Sequence, residues 1–299
     1  MASARVAGRT STAVIASVLT TALQFSEGPV WLGAEQAIGH GFGRGAGLLF
    51  SDIDASKQYM LCDGRLRVVR SNSNGANGNA ISADGALLSC EHQSRRIVRI
   101  DPMRKPVTLV ERFEGARLNS PNDLCVIGSD AIVFTDPPYG VEEKDRELMF
   151  SGVYRLNADS SLDLLDDRLI KPNGVAVGPD GCSVWVSDTE TGHVWRYELS
   201  SGGSVLGRER IVKFSRPDGL VFDSAGHLLA ATTDGISVLD IMTGKIDHIA
   251  CPQRPANLCF GGRDGDELLV CARSDIYVLN WHSPGLDLLN SPPTSNPEV

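Results

Sequence analysis

Five oxygen-bearing side chains recur along this 299-residue chain at the same point of a repeated motif, each directly ahead of an apolar run. They are Glu27 of EGPVW, Asn77 of NGNAISADG, Asn122 of NDLCVIG, Asn173 of NGVAVGPDG and Asp218 of DGLVFD; a sixth copy, ANLCFGG, carries Ala256 instead. Two carboxylates and three carboxamides brought to one place form an oxygen-rich cage suited to a hard or borderline divalent cation. Two anionic ligands facing one another are costly unless a cation offsets their repulsion. An ion held there with open positions would polarise a carbonyl or phosphoryl oxygen and acidify a bound water. Asp218, or the neighbouring Asp123, would then accept the proton. No Gly-x-Ser-x-Gly elbow offers a covalent nucleophile, and the six histidines form no zinc-type cluster.

A purely architectural reading competes, because Asn-Gly, Asp-Gly and Asn-Asp are common turn dipeptides that a repeat protein copies with its fold. Glu27 departs from it, since glutamate is not a favoured turn residue. Ala256 departs too, since turn chemistry does not ask for alanine.

The six copies start 50, 45, 51, 45 and 38 residues apart, the period of propeller blades. Within a copy, a run such as GVAVG leads through an Asp-Gly or Gly turn into a second run such as SVWVSD, the pattern of a tight hairpin. Third runs follow, RRIVRI, GVYRLN, HVWRYEL and IYVLNW, and fourth runs such as VTLVERF and RIVKF. Four strands in each of six units predict an all-β fold, a six-bladed β-propeller with four-stranded antiparallel blades. Residues 17–25, SVLTTALQF, are expected to complete the last blade's sheet and so hide its edge. The predicted division is an N-terminal extension over 1–16, the propeller over 17–289 and a tail over 290–299. No long helical period appears. The glycine-rich GHGFGRGAGLLF lacks the strand-then-helix setting of a phosphate cradle and reads as an inter-strand loop.

Composition narrows the partners. A net charge of −9, with no Lys/Arg-rich block, argues against nucleic acid. No stretch is long enough to span a bilayer. The first residues carry two arginines and a short apolar run, but Ser and Thr break the run and no cleavage site follows, so no signal peptide is read. Seven cysteines without a Cys-x-x-Cys pair point to a reduced, cytoplasmic setting.

In this order, FSEGPVW, NGNAISADG, CEHQSRRI, RLNSPNDL, FTDPPYG, KPNGVAVGPDG and RPDGLVFD resemble the gluconolactonase, senescence marker protein (regucalcin) and luciferin-regenerating enzyme family over about residues 17–281, nearest its bacterial gluconolactonase-like branch. The resemblance implies one divalent cation (calcium, zinc, magnesium, manganese or iron) on Glu27, Asn173 and Asp218, with Asn122 as a further ligand or substrate contact. It also implies a small-molecule sugar lactone as substrate. An arginine upstream of the Asn-Asp pair contacts substrate in regucalcin-like members, and Arg117 is its counterpart here. Asn77 belongs to the same ring, Tyr139 of TDPPYG to the rim, and His92 either faces the pocket or is structural. His92 follows the second blade's second strand, whose end, like others, carries an acidic residue: Asp52, Glu91, Asp136 and Asp188. These are expected to bind hairpin backbones. Beside a metal-dependent lactonase stand two alternatives, an organophosphate hydrolase on the same site and a propeller that binds without turnover.

Overall fold

Short apolar runs divided by Gly- and Asp-rich turns can bury themselves only by pairing edge to edge and then stacking face to face. The computed structural model describes residues 17–286. Within them the chain forms six four-stranded antiparallel sheets, the blades of a β-propeller. From the axis outward, blade 1 runs Ser26–Leu32, Gly47–Asp52, Lys57–Cys62 and Arg65–Ser71. Blade 2 runs Ala76–Ile81, Leu87–Glu91, Arg96–Ile100 and Val107–Val110, and blade 3 Leu124–Ile127, Ala131–Asp136, Gly152–Leu156 and Leu162–Asp166. Blade 4 comprises Pro172–Val177, Ser183–Asp188, His193–Leu199 and Val205–Lys213; blade 5 comprises Leu220–Phe222, His227–Thr232, Gly235–Asp240 and Ile246–Ile249.

Blade 6 takes Asn257–Gly261, Glu267–Ala272 and Asp275–Asn280 from late in the chain and its outer strand, Ser17–Thr20, from early in it. Ser17 pairs with Val278 and Thr20 with Ile276, so the expected closure of the ring is present. The extension over 1–16 and the tail over 290–299 lie outside the described residues.

Six apolar clusters fill the structure, one between each adjacent pair of blades. Every second strand is therefore covered on both faces, and GLLFSD, LLSCE, AIVFTD and SVWVSD are buried throughout. This is why these strands read as continuous apolar runs rather than alternating ones. A helix over Ala34–Gly39 lies in the first connection of blade 1, ahead of the glycine-rich loop. At six residues it is too short to show a helical period, and it precedes the loop, the reverse of a phosphate cradle's order.

The acidic residues closing the second strands hold the segment leading into their own blade. Asp52 accepts from the Gln24 and Phe25 N–H groups at 3.0 Å, Asp136 from Asn119 N–H at 2.7 Å, and Asp188 from Ile170 and Lys171 N–H at 3.2 and 3.0 Å. Glu91 accepts from the Asn74 side chain at 3.1 Å. Each bond falls two or three residues before Glu27, Asn122, Asn173 or Asn77. The hairpin-backbone role also occurs, as where Asp188 accepts from Glu190 N–H at 3.3 Å and Asp52 from Ala55 N–H at 3.4 Å, but the entry segment is the common partner.

Buried charge is met at the outer edge as well. Burial alone would raise the Asp166 pKa, but hydrogen bonds from Arg168 and Tyr197 and the Arg208 charge outweigh it and hold this carboxyl below its ordinary 3.8.

Two outcomes follow. Asp188→Ala leaves the part-buried Ile170 and Lys171 N–H groups without their partner and is expected to lower the unfolding free energy by about 1–3 kcal/mol in urea titration. A carboxyl whose pKa is depressed in the native state stabilises above its unfolded pKa, and that contribution fades as pH falls through the native value. Asp166→Asn should therefore flatten the acid limb of the stability curve below about pH 4, read by thermal unfolding across pH.

Candidate metal and active site

The residues expected to converge do so because the inner strands start irregularly. In blades 1, 2 and 4 the pairing slips between Glu27 and Val30, Ala76 and Asn79, and Pro172 and Val175. In blade 3, Asn122 N–H donates to Thr135 O while Thr135 N–H donates to Asp123 O, and blade 5 repeats this with Asp218, Ala231 and Gly219. Such bulges re-aim side chains at a strand's end. The Asn77-Gly78, Asn173-Gly174 and Asp218-Gly219 pairs are thus bulges at strand starts rather than the turns of the architectural reading, whereas Asp84-Gly85 and Asp180-Gly181 do turn their hairpins. Preceding blades fix the backbone: Ser51 Oγ donates to Asn77 O at 2.8 Å, Thr135 Oγ1 to Asn173 O at 2.6 Å and Ser187 Oγ to Asp218 O at 2.7 Å.

Glycine follows the ring residue in four blades because there is no room at the axis. A Cβ on Gly78 would sit 2.6 Å from Asp123 Oδ1, and one on Gly219 2.0 Å from Asn257 Oδ1. Asp123 and Asn257, the non-glycine residues at this position, come from the opposed blades 3 and 6 and fill the space the glycines vacate. Asn257 Nδ2 lies 3.4 Å from Asp123 Oδ2.

Above them opens a cavity of about 420 Å³ whose wall includes Glu27, Asn77, Asn122, Asn173 and Asp218. His92 and Tyr139 line it too. Asp123 does not; it is buried beneath, in the axis. Arg117 does not either: it lies on a short hairpin, Arg112–Phe113 with Ala116–Arg117, and its guanidinium reaches Ser94 O at 3.3 Å. The hairpin carries this side chain across blade 2 rather than toward the axis.

Electrostatically the site calls for positive charge. Burial, then the charges of Asp218 and Asp123, push the Glu27 carboxyl well above the ordinary range. Burial likewise raises Asp218, against the pull of Arg254, and lifts Asp123 to about 6. The nearest cationic group, Arg254, stands 3.9 Å from Asp218. Asn77 Oδ1 is buried without a hydrogen-bond partner. Two buried carboxyls, a third that is partly buried, and an orphaned carbonyl oxygen fit a hard cation better than they fit each other.

The remaining polar groups are oriented. Burial pushes His92 down to about 4, so its imidazole is neutral near pH 7 and its Nε2 accepts from Asn77 Nδ2 at 3.0 Å. Asn173 Nδ2 donates to Thr189 Oγ1 at 3.1 Å and to the Tyr139 hydroxyl at 3.3 Å.

A second group that could take a metal, Asp223, His227 and His282, lies elsewhere. Asp223 Oδ2 already accepts from Trp281 Nε1, His227 Nδ1 and Ser283 Oγ at 2.7–2.8 Å, which ties down the segment after blade 6. A cation there would have to displace these bonds, so the central cavity fits one better.

Sequence reasoning passed over Arg216, Arg254 and Arg273, which line the cavity, and Asn257 beneath it. A signal existed for two of them. Arg216-Pro217-Asp218 and Arg254-Pro255-Ala256 repeat an Arg-Pro step at one blade position, visible once the copies are aligned.

A family model described as "SMP-30/Gluconolactonase/LRE-like region" matches residues 25–274. A gluconolactonase of Zymomonas mobilis is 30% identical, covering 87% of this chain and 79% of its own. The solved structure of a gluconolactonase of Xanthomonas campestris superposes with a TM-score of 0.78 at 32% identity, covering 89% of this chain and 88% of that one. Regucalcin of Agrobacterium tumefaciens, a calcium-binding protein, shares the fold with a TM-score of 0.72 at 19% identity over 90% and 94% of the two chains.

The crowding at the axis can be tested directly. A Cβ at Gly174 would lie 2.3 Å from Asp218 O, so Gly174→Ala must part blades 4 and 5. It is expected to cost about 1–3 kcal/mol in urea unfolding.

Proposed function

Since the chain belongs to the SMP-30/gluconolactonase/LRE-like family, we propose that it is a metal-dependent hydrolase opening a sugar lactone, with one divalent cation held by Glu27, Asn173 and Asp218. The observation that carries this reading is the convergence of those three side chains on one cavity, with Glu27 buried, the Asp218 side chain 14% exposed, and Arg254 the one cationic group within ion-pair distance of either among the described residues, at a loose 3.9 Å. Similarity to gluconolactonases over most of the chain's length supports the choice of substrate class.

A bound divalent cation supplies a Lewis acid for the lactone carbonyl and lowers the pKa of water at the site. The chain's own residues do the rest. Asn122 and Asn77 border the cavity with amide groups that can meet sugar hydroxyls. Tyr139, 42% exposed and held by Asn173, presents its ring at the rim. His92 stays neutral and takes a hydrogen bond from Asn77, which fixes that amide's orientation. Of the two carboxyls considered as proton acceptor, Asp218 lines the cavity and Asp123 does not, so the role falls to Asp218. Asp123 instead lies buried beneath the cavity, where it accepts from Asn257 Nδ2 across the axis.

Glu27→Gln and Asp218→Asn should each lower kcat/KM for glucono-1,5-lactone by about 100-fold, the upper end of what losing even an outer partner costs a metal site. Elemental analysis should show lower metal content in both. Full activity in either variant removes that residue from the reaction, and chelator-resistant turnover removes the metal. Fluoride release from an organophosphate with all lactones inert would replace the substrate class.

A further inference from the structure

The cavity wall is richer in cationic groups than a neutral sugar requires. Arg216, Arg254 and Arg273 line it together with Glu27, Asp54 and Asp218, in a chain whose net charge is −9. Of the three arginines, only Arg254 comes within ion-pair distance of a carboxylate among the described residues, at a loose 3.9 Å. The Arg273 guanidinium lies over the Phe25 ring, 5.1 Å from its centroid.

Two of these arginines sit on left-handed backbone, with φ of 49° at Arg216 and 57° at Arg273, a region that disfavours residues carrying a Cβ. Ala272 pairs with Asp275, so Arg273 is the first of two residues in a tight hairpin loop. With positive φ at that position, glycine is the residue such a loop prefers. A long charged side chain in its place is explained by where the guanidinium goes, which is the cavity mouth.

With a divalent cation balancing Glu27 and Asp218, the wall keeps three guanidinium groups against Asp54 alone. A polyol offers them hydroxyl acceptors but no charge. We propose that the substrate lactone carries an oxyanion substituent, carboxylate or phosphate, away from the scissile ester, and that Arg216, Arg254 and Arg273 receive it. Guanidinium forks suit both groups, because two parallel N–H donors meet two oxygens. The inference rests on the lactonase reading and narrows its substrate.

The metal-loaded enzyme is assayed for acid release from glucono-1,5-lactone, its 6-phosphate and glucaro-1,4-lactone. At least one anionic lactone should exceed the neutral one by about tenfold in kcat/KM, mainly through KM, and the advantage should shrink between about 20 and 300 mM salt. The arm that leads distinguishes phosphate from carboxylate. Arg273→Gly suits the local backbone, so combining it with Arg216→Ala should cut the anionic-to-neutral ratio by about tenfold without loss of fold, checked by thermal unfolding. Equal kcat/KM for charged and neutral lactones, or a ratio the double variant leaves unmoved, overturns this inference and leaves the lactonase reading standing. Hydrolysis of no lactone overturns that reading instead. Calorimetric titration with the ring-opened 6-phosphogluconate, glucarate and gluconate then decides: tighter binding of an anionic chain, lost in the double variant, sustains the oxyanion subsite, and equal binding ends it.

Discussion

Six inner strands meet around one axis with too little space for six Cβ atoms, and the arrangement of the mouth follows from that crowding. Glycine at 28, 78, 174 and 219 lets the strand ends close in, and Asp123 and Asn257 use the room so released. Strand ends this close put the preceding residues, Glu27, Asn77, Asn122, Asn173 and Asp218, on a single cavity. Side chains from five different blades become neighbours without any loop reaching across.

Crowding alone would leave like charges facing each other, so the fold spends its hydrogen bonds on keeping the ring in place. Carboxylates at the ends of the second strands grip the entering segments, and hydroxyls of Ser51, Thr135 and Ser187 grip the ring carbonyls of the next blade. With the backbone fixed on both sides, the buried carboxyls cannot relax apart. Held together, they keep their protons above the ordinary carboxylate range, and the same crowding would favour a cation under the proposed function.

Much of this was legible in the chain. The near-regular spacing of Glu27, Asn77, Asn122, Asn173, Asp218 and Ala256 carries the blade count, and the apolar runs carry the strands. The closing strand at Ser17–Thr20 could be inferred because a ring must hide its last edge. Other features were not legible, for identifiable reasons. A dipeptide such as Asn173-Gly174 looks the same whether it turns a hairpin or bulges a strand, and only the proximity of Asp218 O separates the two. Arg117 stands near the Asn122-Asp123 pair in sequence, but the small hairpin at 112–117 directs it elsewhere. Arg273 gave no signal, since its place at the cavity mouth depends on a turn whose geometry its own residue type would argue against.

Blade 6 mixes a strand from the front of the chain with three from its rear, and this bears on how the molecule is made. Ser17–Thr20 leaves the ribosome long before Asp275–Asn280, so its partner does not exist while the first five blades assemble. Until then the growing arc has two raw edges and no fixed circumference. The distance between Glu27 in blade 1 and Asp218 in blade 5 is set only when the arc becomes a circle, and premature termination within the last blade would yield a protein with Glu27, Asn173 and Asp218 all present and no shared cavity.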